Sequence, residues 1–228
     1  MKNIFLFVIF ILFIFTTGKG FCASTDIDII KKRVFESLMQ PEVNDAEIAS
    51  LLRTFTSGGK WPGINYEDVS RTGFEHRNHT GNMVTLARAY RKKDSKYYQS
   101  AEVKQVVNAA LKTWVDNDYI CDNWWHNQIG TPNNLVHVML LIGNELQDDL
   151  VEKAQPIIGR ANINAPGARP GGDRIKIAGI EAKNMLFLGN TEKFEEVIRV
   201  IEGEIKHVEW VGNDYGFGYR RIEGGFAN

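Results

Sequence analysis

The chain has 228 residues, of which 43% are hydrophobic and 24% charged, and its formal net charge at pH 7 is −1. No basic stripe is present, so nucleic acid is not an expected partner. We expect only Cys121 of the two cysteines to remain in the mature chain, which excludes an internal disulfide and makes stability depend on one hydrophobic core.

The N-terminus is typical of a secretory signal peptide. Lys2 is followed by the apolar run IFLFVIFILFIF and the small-residue exit TTGKGFCA. We expect cleavage after Ala23, leaving a secreted or periplasmic domain over residues 24–228. The run is about a dozen residues, short of the roughly 20 that span a bilayer, so we expect no stable membrane insertion after cleavage. A retained anchor is the alternative, whereas lipidation of Cys22 is disfavoured by bulky Phe21.

Apolar residues at helical spacing predict two helices after the signal. The first covers IIKKRVFESLM, and the second covers AEIASLLRTF with Asn44 or Asp45 as its cap. Ser57-Gly58-Gly59 ends the second helix. Residues 60–78 have no period and several turn formers, so we predict a long ordered loop packed over the helix ends.

Three more segments follow in the middle of the chain. A helix covers MVTLARAYRKKD, and the next carries Val103, Val107 and Trp114 on one stripe, which places Trp114 in the core. We predict a loop over residues 119–132. The helix from residue 133 to 144 is apolar nearly all round and should be buried, with His137 a hydrogen-bonded core histidine; no metal-ligand partner lies at i+4, so no metal site is expected.

The last third predicts helices over residues 147–161 and 173–188, and one capped by Asn190-Thr191. From His207 the sequence becomes aromatic and Gly-rich and stops without a closing helix, so we expect a C-terminally incomplete domain. Helices alternating with loops predict an all-α fold of helical hairpins, which can close into a ring or stack as a solenoid.

The stretch YICDNWWHNQIGTP carries the clearest functional signal. Trp124 and Trp125 cannot both face one core, because neighbouring side chains point in different directions. Flat rings beside the amides of Asn123 and Gln128 suit a sugar, which has apolar faces and hydroxyl edges. The alternative is a buried loop anchor, and Cys121 is interpreted as a small buried residue.

The stretch NWWHNQIGTPNNLVHVMLLIGNEL resembles the aromatic-patch region of polysaccharide lyase family 8, which includes chondroitin AC, hyaluronate and xanthan lyases. GGDRIKIA and GNDYGFGYRRIEGGFAN are similar to two further segments of that family, and the resemblance covers roughly residues 30–228. It implies an incomplete α/α toroid without the family's C-terminal β-sandwich domains.

The resemblance implies an enzyme that cleaves an acidic, uronic-acid-containing polysaccharide such as chondroitin, hyaluronan or xanthan by β-elimination, with no cofactor. Asn123, Trp124 and Trp125 match the sugar-binding patch. The family's carboxylate-neutralising Asn falls on Asp173, and the Arg after it on Arg174.

The family's catalytic His falls near Tyr219 or Arg220, so Tyr219 is the candidate substitute base and Arg220 a candidate substrate contact.

Two departures from the family's pattern leave alternative functions open. An ionised Asp173 repels a carboxylate, and the family's catalytic Tyr falls at or beyond residue 228. One alternative is an inactive or truncated carbohydrate-binding module that uses the Trp pair. Another is a glycoside hydrolase, which needs two carboxylates across a cleft, for which Asp122 and Asp173 are the candidates.

Overall fold

The computed structural model describes residues 26–165 and 171–205, and within these ranges every regular element is helical. The α-helices are α1 Asp26–Leu38, α2 Asp45–Thr54, α3 His76–Arg91, α4 Ala101–Asn117, α5 Thr131–Ile142, α6 Asp148–Ile158, α7 Gly172–Leu188 and α8 Thr191–Glu204. A π-turn, His126–Gly130, leads into α5, and a 3-10 turn, Gly143–Glu145, follows it. The predicted all-α class is confirmed.

The helices form hairpins in two layers. Within each of the pairs α3–α4, α5–α6 and α7–α8, consecutive helices pack on each other. Between pairs, α3 packs on α5 and α5 on α7 in one layer, while α4 packs on α6 in the other. Side-by-side hairpins of this kind are the building units of an α/α toroid, as the sequence predicts.

Helix α5 is the central element of this arrangement, because it contacts α1, α3, α6 and α7. Its buried apolar residues cover most of its circumference: Leu135, Val136, Val138, Met139, Leu141 and Ile142. The remaining face carries the half-buried residues Asn133, His137 and Leu140. A helix that is apolar on most sides can be accommodated only between other helices. The prediction of a buried helix after the Trp pair is therefore confirmed.

Several local predictions are also confirmed. The Asn44 side chain accepts hydrogen bonds from the N–H groups of Ala46 and Glu47, and so caps α2. Trp114 is fully buried, and Cys121 is a buried free thiol.

Within the described residues, no helix is both long and apolar enough to cross a membrane.

The predicted loop over residues 119–132 is wrong in its second half. The chain is already helical at Trp124 and passes through the π-turn into α5 without a break. The N–H of Thr131 bonds to the carbonyl of His126, five residues back, so this turn holds one extra residue. Pro132 lies in the first turn of α5 but eight residues after Trp124, so Thr-Pro does not mark the start of the helical segment.

The long loop after α2 is held by a buried histidine. His79 donates from Nε2 to the carbonyl of Ala110 at 3.0 Å, and its Nδ1 accepts from the Tyr66 hydroxyl at 2.8 Å. The Tyr66 oxygen accepts in turn from the N–H of Trp61. Helix α3 begins at His76, so the last three residues of the predicted loop are helical, and His79 lies in the first turn of this helix.

Burial lowers the pKa of His79 to about 4 from an ordinary value of 6.5. The folded protein therefore holds this imidazole neutral, whereas the unfolded chain takes up a proton below pH 6.5. The stability that His79 contributes is complete above its unfolded pKa and is lost as the pH falls from 6.5 towards 4.

We predict that truncating Leu135 to Ala lowers the free energy of unfolding by about 2–5 kcal/mol, because it leaves a cavity in the most enclosed helix. Leu188→Ala is the matched control, since Leu188 is 50% exposed whereas Leu135 is 0% exposed; it should change stability by at most about 0.5 kcal/mol. Urea unfolding followed by circular dichroism measures both. Equal effects would contradict the central place of α5.

We also predict that the free energy of unfolding decreases between pH 6.5 and pH 4 and that His79→Gln makes this dependence shallower. Gln can still donate and accept a hydrogen bond but does not titrate in this range. Urea titrations at several pH values test this. A stability that is constant over the window would rule out a buried neutral His79.

Candidate functional site

A cleft of about 700 Å³ opens between the first turn of α3, the π-turn with the start of α5, and one face of α7. Trp125 lines this cleft, and the indole is half-buried rather than sealed in the core. Trp124 is also half-buried, and both indoles pack against the core, but Trp124 is not among the lining residues. The two neighbouring indoles thus differ in whether they reach the cleft, because neighbouring side chains on a helix point in different directions.

The Trp125 ring lies directly against Gly130. A Cβ atom added at Gly130 would lie 3.0 Å from Cζ3 of Trp125 and 3.3 Å from Nδ1 of His126. The rings of Trp125 and His126 meet edge to face, with centroids 5.4 Å apart. The π-turn therefore folds back on its own side chains, and a side chain at residue 130 requires these rings to move by a few tenths of an ångström.

The opposite wall of the cleft comes from α7. Lys176, Gly179, Ile180 and Lys183 line it, and their spacing of three, four and seven residues places them on one helical face. The sequence predicts this helix, but its weak amphipathicity gives no signal of which face is open. Only the packing of α7 against α5 identifies these residues.

The charged side chains that line the cleft are all positive. Arg77 on α3 and the two lysines of α7 bring three cationic side chains to the cleft, and none of the described lining residues is acidic. Asn78, Asn133 and Asn134 add amides that can both donate and accept. A concave site with an aromatic wall, amides and an excess of positive charge suits a polar, anionic ligand.

The amide of Asn134 has a structural role as well, because Nδ2 donates to the Thr80 hydroxyl at 2.9 Å and joins α5 to α3. Thr80 passes the bond on to the carbonyl of Arg77. This chain of contacts fixes the start of α3 beside the start of α5, so the two helix ends that form the cleft are held at a constant separation.

His126 also lines the cleft, and burial together with the nearby Arg77 guanidinium keeps its pKa below the ordinary value. Its imidazole is therefore neutral near pH 7 and is able to accept a proton. Sequence reasoning did not single out this residue, although it lies directly beside the Trp pair.

The Lys183 ammonium lies deep beside α5. Its Nζ is 3.0 Å from Nε2 of His137 and 3.4 Å from Oδ1 of Asn133. Burial lowers the pKa of His137 to about 3, helped by the positive charges of Lys183 and Arg88. Burial also lowers the pKa of Lys183. The prediction that His137 is hydrogen-bonded is confirmed, but its partner is a cleft residue.

Besides Trp124, the sequence-predicted sugar contacts Asn123 and Gln128 lie outside this cleft. Asn123 donates from Nδ2 to the carbonyl of Arg71 at 3.0 Å, and its Oδ1 accepts from the N–H of Trp125 at 3.1 Å, so it caps the helical segment. Gln128 lines a separate depression of about 380 Å³ next to Arg160, and its buried Oε1 has no hydrogen-bond partner within the described part of the chain.

The residues carried over from the family onto α7 are engaged within the fold. Asp173 lies 3.4 Å from the Nζ of Lys176, and the Arg174 guanidinium lies 3.4 Å from Glu204 at the end of α8. Neither of them, nor Asp122, is among the lining residues of the main cleft.

The remaining predictions, Tyr219 and Arg220, lie outside the described residues, as does the predicted signal peptide. No group of three potential metal ligands occurs among residues 26–165 and 171–205.

Comparison with known proteins identifies the family. The sequence model of the polysaccharide lyase family 8 N-terminal alpha-helical domain matches residues 18–210, so the chain belongs to this family. Chondroitinase-AC of Pedobacter heparinus is 32% identical over 155 residues, which make up 66% of this chain and 22% of that protein.

Solved structures agree with this assignment. A chondroitinase AC lyase that is 28% identical has a TM-score of 0.74 and is matched over 81% of this chain and 28% of its own. A Paenibacillus xanthan lyase, at 16% identity, has a TM-score of 0.58 over 80% of this chain and 19% of its own, which shows the shared fold alone. The chain thus spans less than a third of the length of these relatives.

We predict that Gly130→Ala displaces the Trp125 ring, because the added methyl group needs space that the indole occupies. The indole N–H resonance of Trp125, assigned with Trp125→Phe, should shift in two-dimensional NMR. Gly179→Ala is the control, since a Cβ there meets nothing within 4 Å although Gly179 lines the same cleft. An unshifted Trp125 resonance in Gly130→Ala, or the same shift in both variants, would contradict this packing.

Proposed function

We propose that this chain is the substrate-binding part of a secreted polysaccharide lyase that holds an acidic, uronic-acid-containing polysaccharide and cleaves it by β-elimination. The observation that carries the proposal is the cleft itself, where the Trp125 indole faces a lining with three cations and no acid. Relatives named chondroitinase AC and xanthan lyase support an acidic polysaccharide such as chondroitin, hyaluronan or xanthan as the substrate.

The cleft has aromatic, amide and cationic groups that match the parts of an acidic sugar. The apolar face of a pyranose ring stacks on the Trp125 indole, and the amides of Asn78 and Asn133 can bond its hydroxyl edges. Arg77 and Lys176 are exposed on opposite walls, where they can meet carboxylates of successive uronates. Such positive charge also speeds the encounter with a polyanion.

β-Elimination places a further demand on the site. Removal of the C5 proton leaves a carbanion whose charge spreads into the uronate carboxylate, so that carboxylate must be neutralised by cations or donors. The cleft cations can supply this, and neutral His126 can accept a proton. Asp173 and Tyr219, which the resemblance places at catalytic positions, stay as proposed catalytic residues, with Arg174 and Arg220 as proposed substrate contacts.

The second candidate is a carbohydrate-binding module that keeps the Trp platform and has no chemistry. Two observations favour it: Asp173 stands where the family has a neutralising Asn, and Arg174 is paired with Glu204 instead of facing the cleft. Both candidates need the same polysaccharide contact at Trp125, and they differ only in whether a product forms.

We predict that the chain binds chondroitin and hyaluronan and that Trp125→Ala weakens binding by about tenfold or more, as loss of a central aromatic contact does. Isothermal titration calorimetry measures this. Tyr98→Ala is the control, because Tyr98 is an exposed aromatic residue that does not line the cleft. Equal affinities for the parent and Trp125→Ala would refute a sugar platform at this indole.

Catalysis is followed separately through the ultraviolet absorbance of the unsaturated uronate that β-elimination creates. An increase with chondroitin, hyaluronan or xanthan that His126→Gln reduces supports the lyase with this base. Binding without any increase supports the binding module instead.

A further inference from the structure

We propose that Lys183 binds an oxyanion in the cleft, a carboxylate or a sulfate ester carried by the polysaccharide. The inference rests on the proposed function, because it assigns one charged group of that ligand to one residue. It concerns a side chain that the resemblance does not mark and that lies ten residues after Asp173, on the face of α7 that lines the cleft.

The starting observation is that Lys183 has neutral partners only. Within the described part of the chain, no carboxylate lies close enough to form an ion pair with it, and its two contacts are the His137 imidazole and the Asn133 amide. By contrast Lys176, seven residues earlier on the same face, lies 3.4 Å from the Asp173 carboxylate.

The protonation of this pair follows from its geometry. An ammonium at 3.0 Å from Nε2 of His137 donates to that nitrogen, so the imidazole must be neutral with its proton on Nδ1. Arg88 adds a second positive charge near the ring and disfavours its protonation further. The imidazole therefore accepts a hydrogen bond from Lys183 but gives no negative charge to balance it.

A half-buried ammonium without a counterion is energetically unfavourable, because burial removes water and returns no Coulombic attraction. Lys183 has three N–H donors, and the two contacts use two of them. One donor and one full charge remain for a ligand in the cleft. An oxyanion fits both, since it accepts the hydrogen bond and neutralises the charge.

The position of Asn133 strengthens this assignment. Its Oδ1 accepts from Lys183, which leaves its N–H₂ group as a second donor beside the ammonium. Asn133 and Lys183 both line the cleft, so an oxyanion there can meet a charged and a neutral donor together. Trp125 lies on the same cleft, so the sugar that stacks on the indole brings its own acidic group to this pair.

The test is calorimetric titration of the full chain with three polymers: unsulfated chondroitin, which carries carboxylates only; chondroitin sulfate; and carboxyl-reduced chondroitin sulfate, which carries sulfates only. Lys183→Met removes the charge and keeps the length. We expect about tenfold to hundredfold weaker binding of every polymer whose oxyanion Lys183 holds, the effect of losing one charge-assisted hydrogen bond. Loss with unsulfated chondroitin identifies the carboxylate, and loss confined to the sulfated polymers identifies the sulfate.

Lys153→Met is the control for loss of one positive charge, because Lys153 is exposed, paired with Asp149 at 3.2 Å and outside the cleft; we expect a change of less than about threefold. A second variant, His137→Asp, keeps Lys183 and gives it an internal counterion. It should weaken binding about as much as Lys183→Met, because the new carboxylate competes with the ligand. Circular dichroism confirms that each variant is folded.

The outcomes separate this inference from the proposed function. If Trp125→Ala weakens binding while Lys183→Met and His137→Asp stay within twofold of the parent, the oxyanion assignment is wrong and the sugar platform stands. If Lys183→Met and Lys153→Met weaken binding equally, the effect is one of general charge and the assignment is also wrong. If Trp125→Ala has no effect, the proposed function fails and this inference fails with it.

Discussion

The structure depends on one continuous helical segment that begins at Trp124, widens into a π-turn and continues as α5. The extra residue in this turn rotates the side chains before it relative to those of α5, so the segment can bury its apolar C-terminal part and still present Trp125 beside the cleft. Gly130 allows the close approach, because any side chain there would meet the indole.

The electrostatics of the cleft follow from the same packing. Because α5 lies between α3 and α7, residues of both neighbouring helices reach the space in front of the π-turn. Their charged side chains are basic, and the acidic residues of α7 lie elsewhere: Asp173 faces Lys176, and Glu181 binds the N–H of Ile163. The fold thus concentrates positive charge in the cleft although the net charge of the whole chain is only −1.

Much of this arrangement could be predicted from the sequence, and the parts that could not have physical reasons. Periodicity located the helices, Asn44 capped where expected, and the mostly apolar segment from Leu135 to Ile142 predicted the burial of α5. The Trp pair was predicted to lie in a loop for two reasons. A five-residue π-turn does not change the hydrophobic periodicity of a sequence, and Thr-Pro is a common signal for the start of a helix. The roles of Lys183 and Arg77 could not be predicted, since they depend on which helices pack side by side. Asn123 and Gln128 show the converse, because residues next to Trp125 in sequence are separated from its cleft by the direction of their side chains.

The central claim is that Trp125, and not another indole, is the surface on which an acidic glycan lies. The most direct measurement is an NMR experiment on the chain with a chondroitin oligosaccharide, in which magnetisation transferred between pyranose protons and each indole ring is compared. The account predicts transfer to Trp125 together with shifts of the Asn133 side-chain amide, and no transfer to buried Trp61 or Trp114. Transfer centred on any surface remote from the π-turn would contradict it.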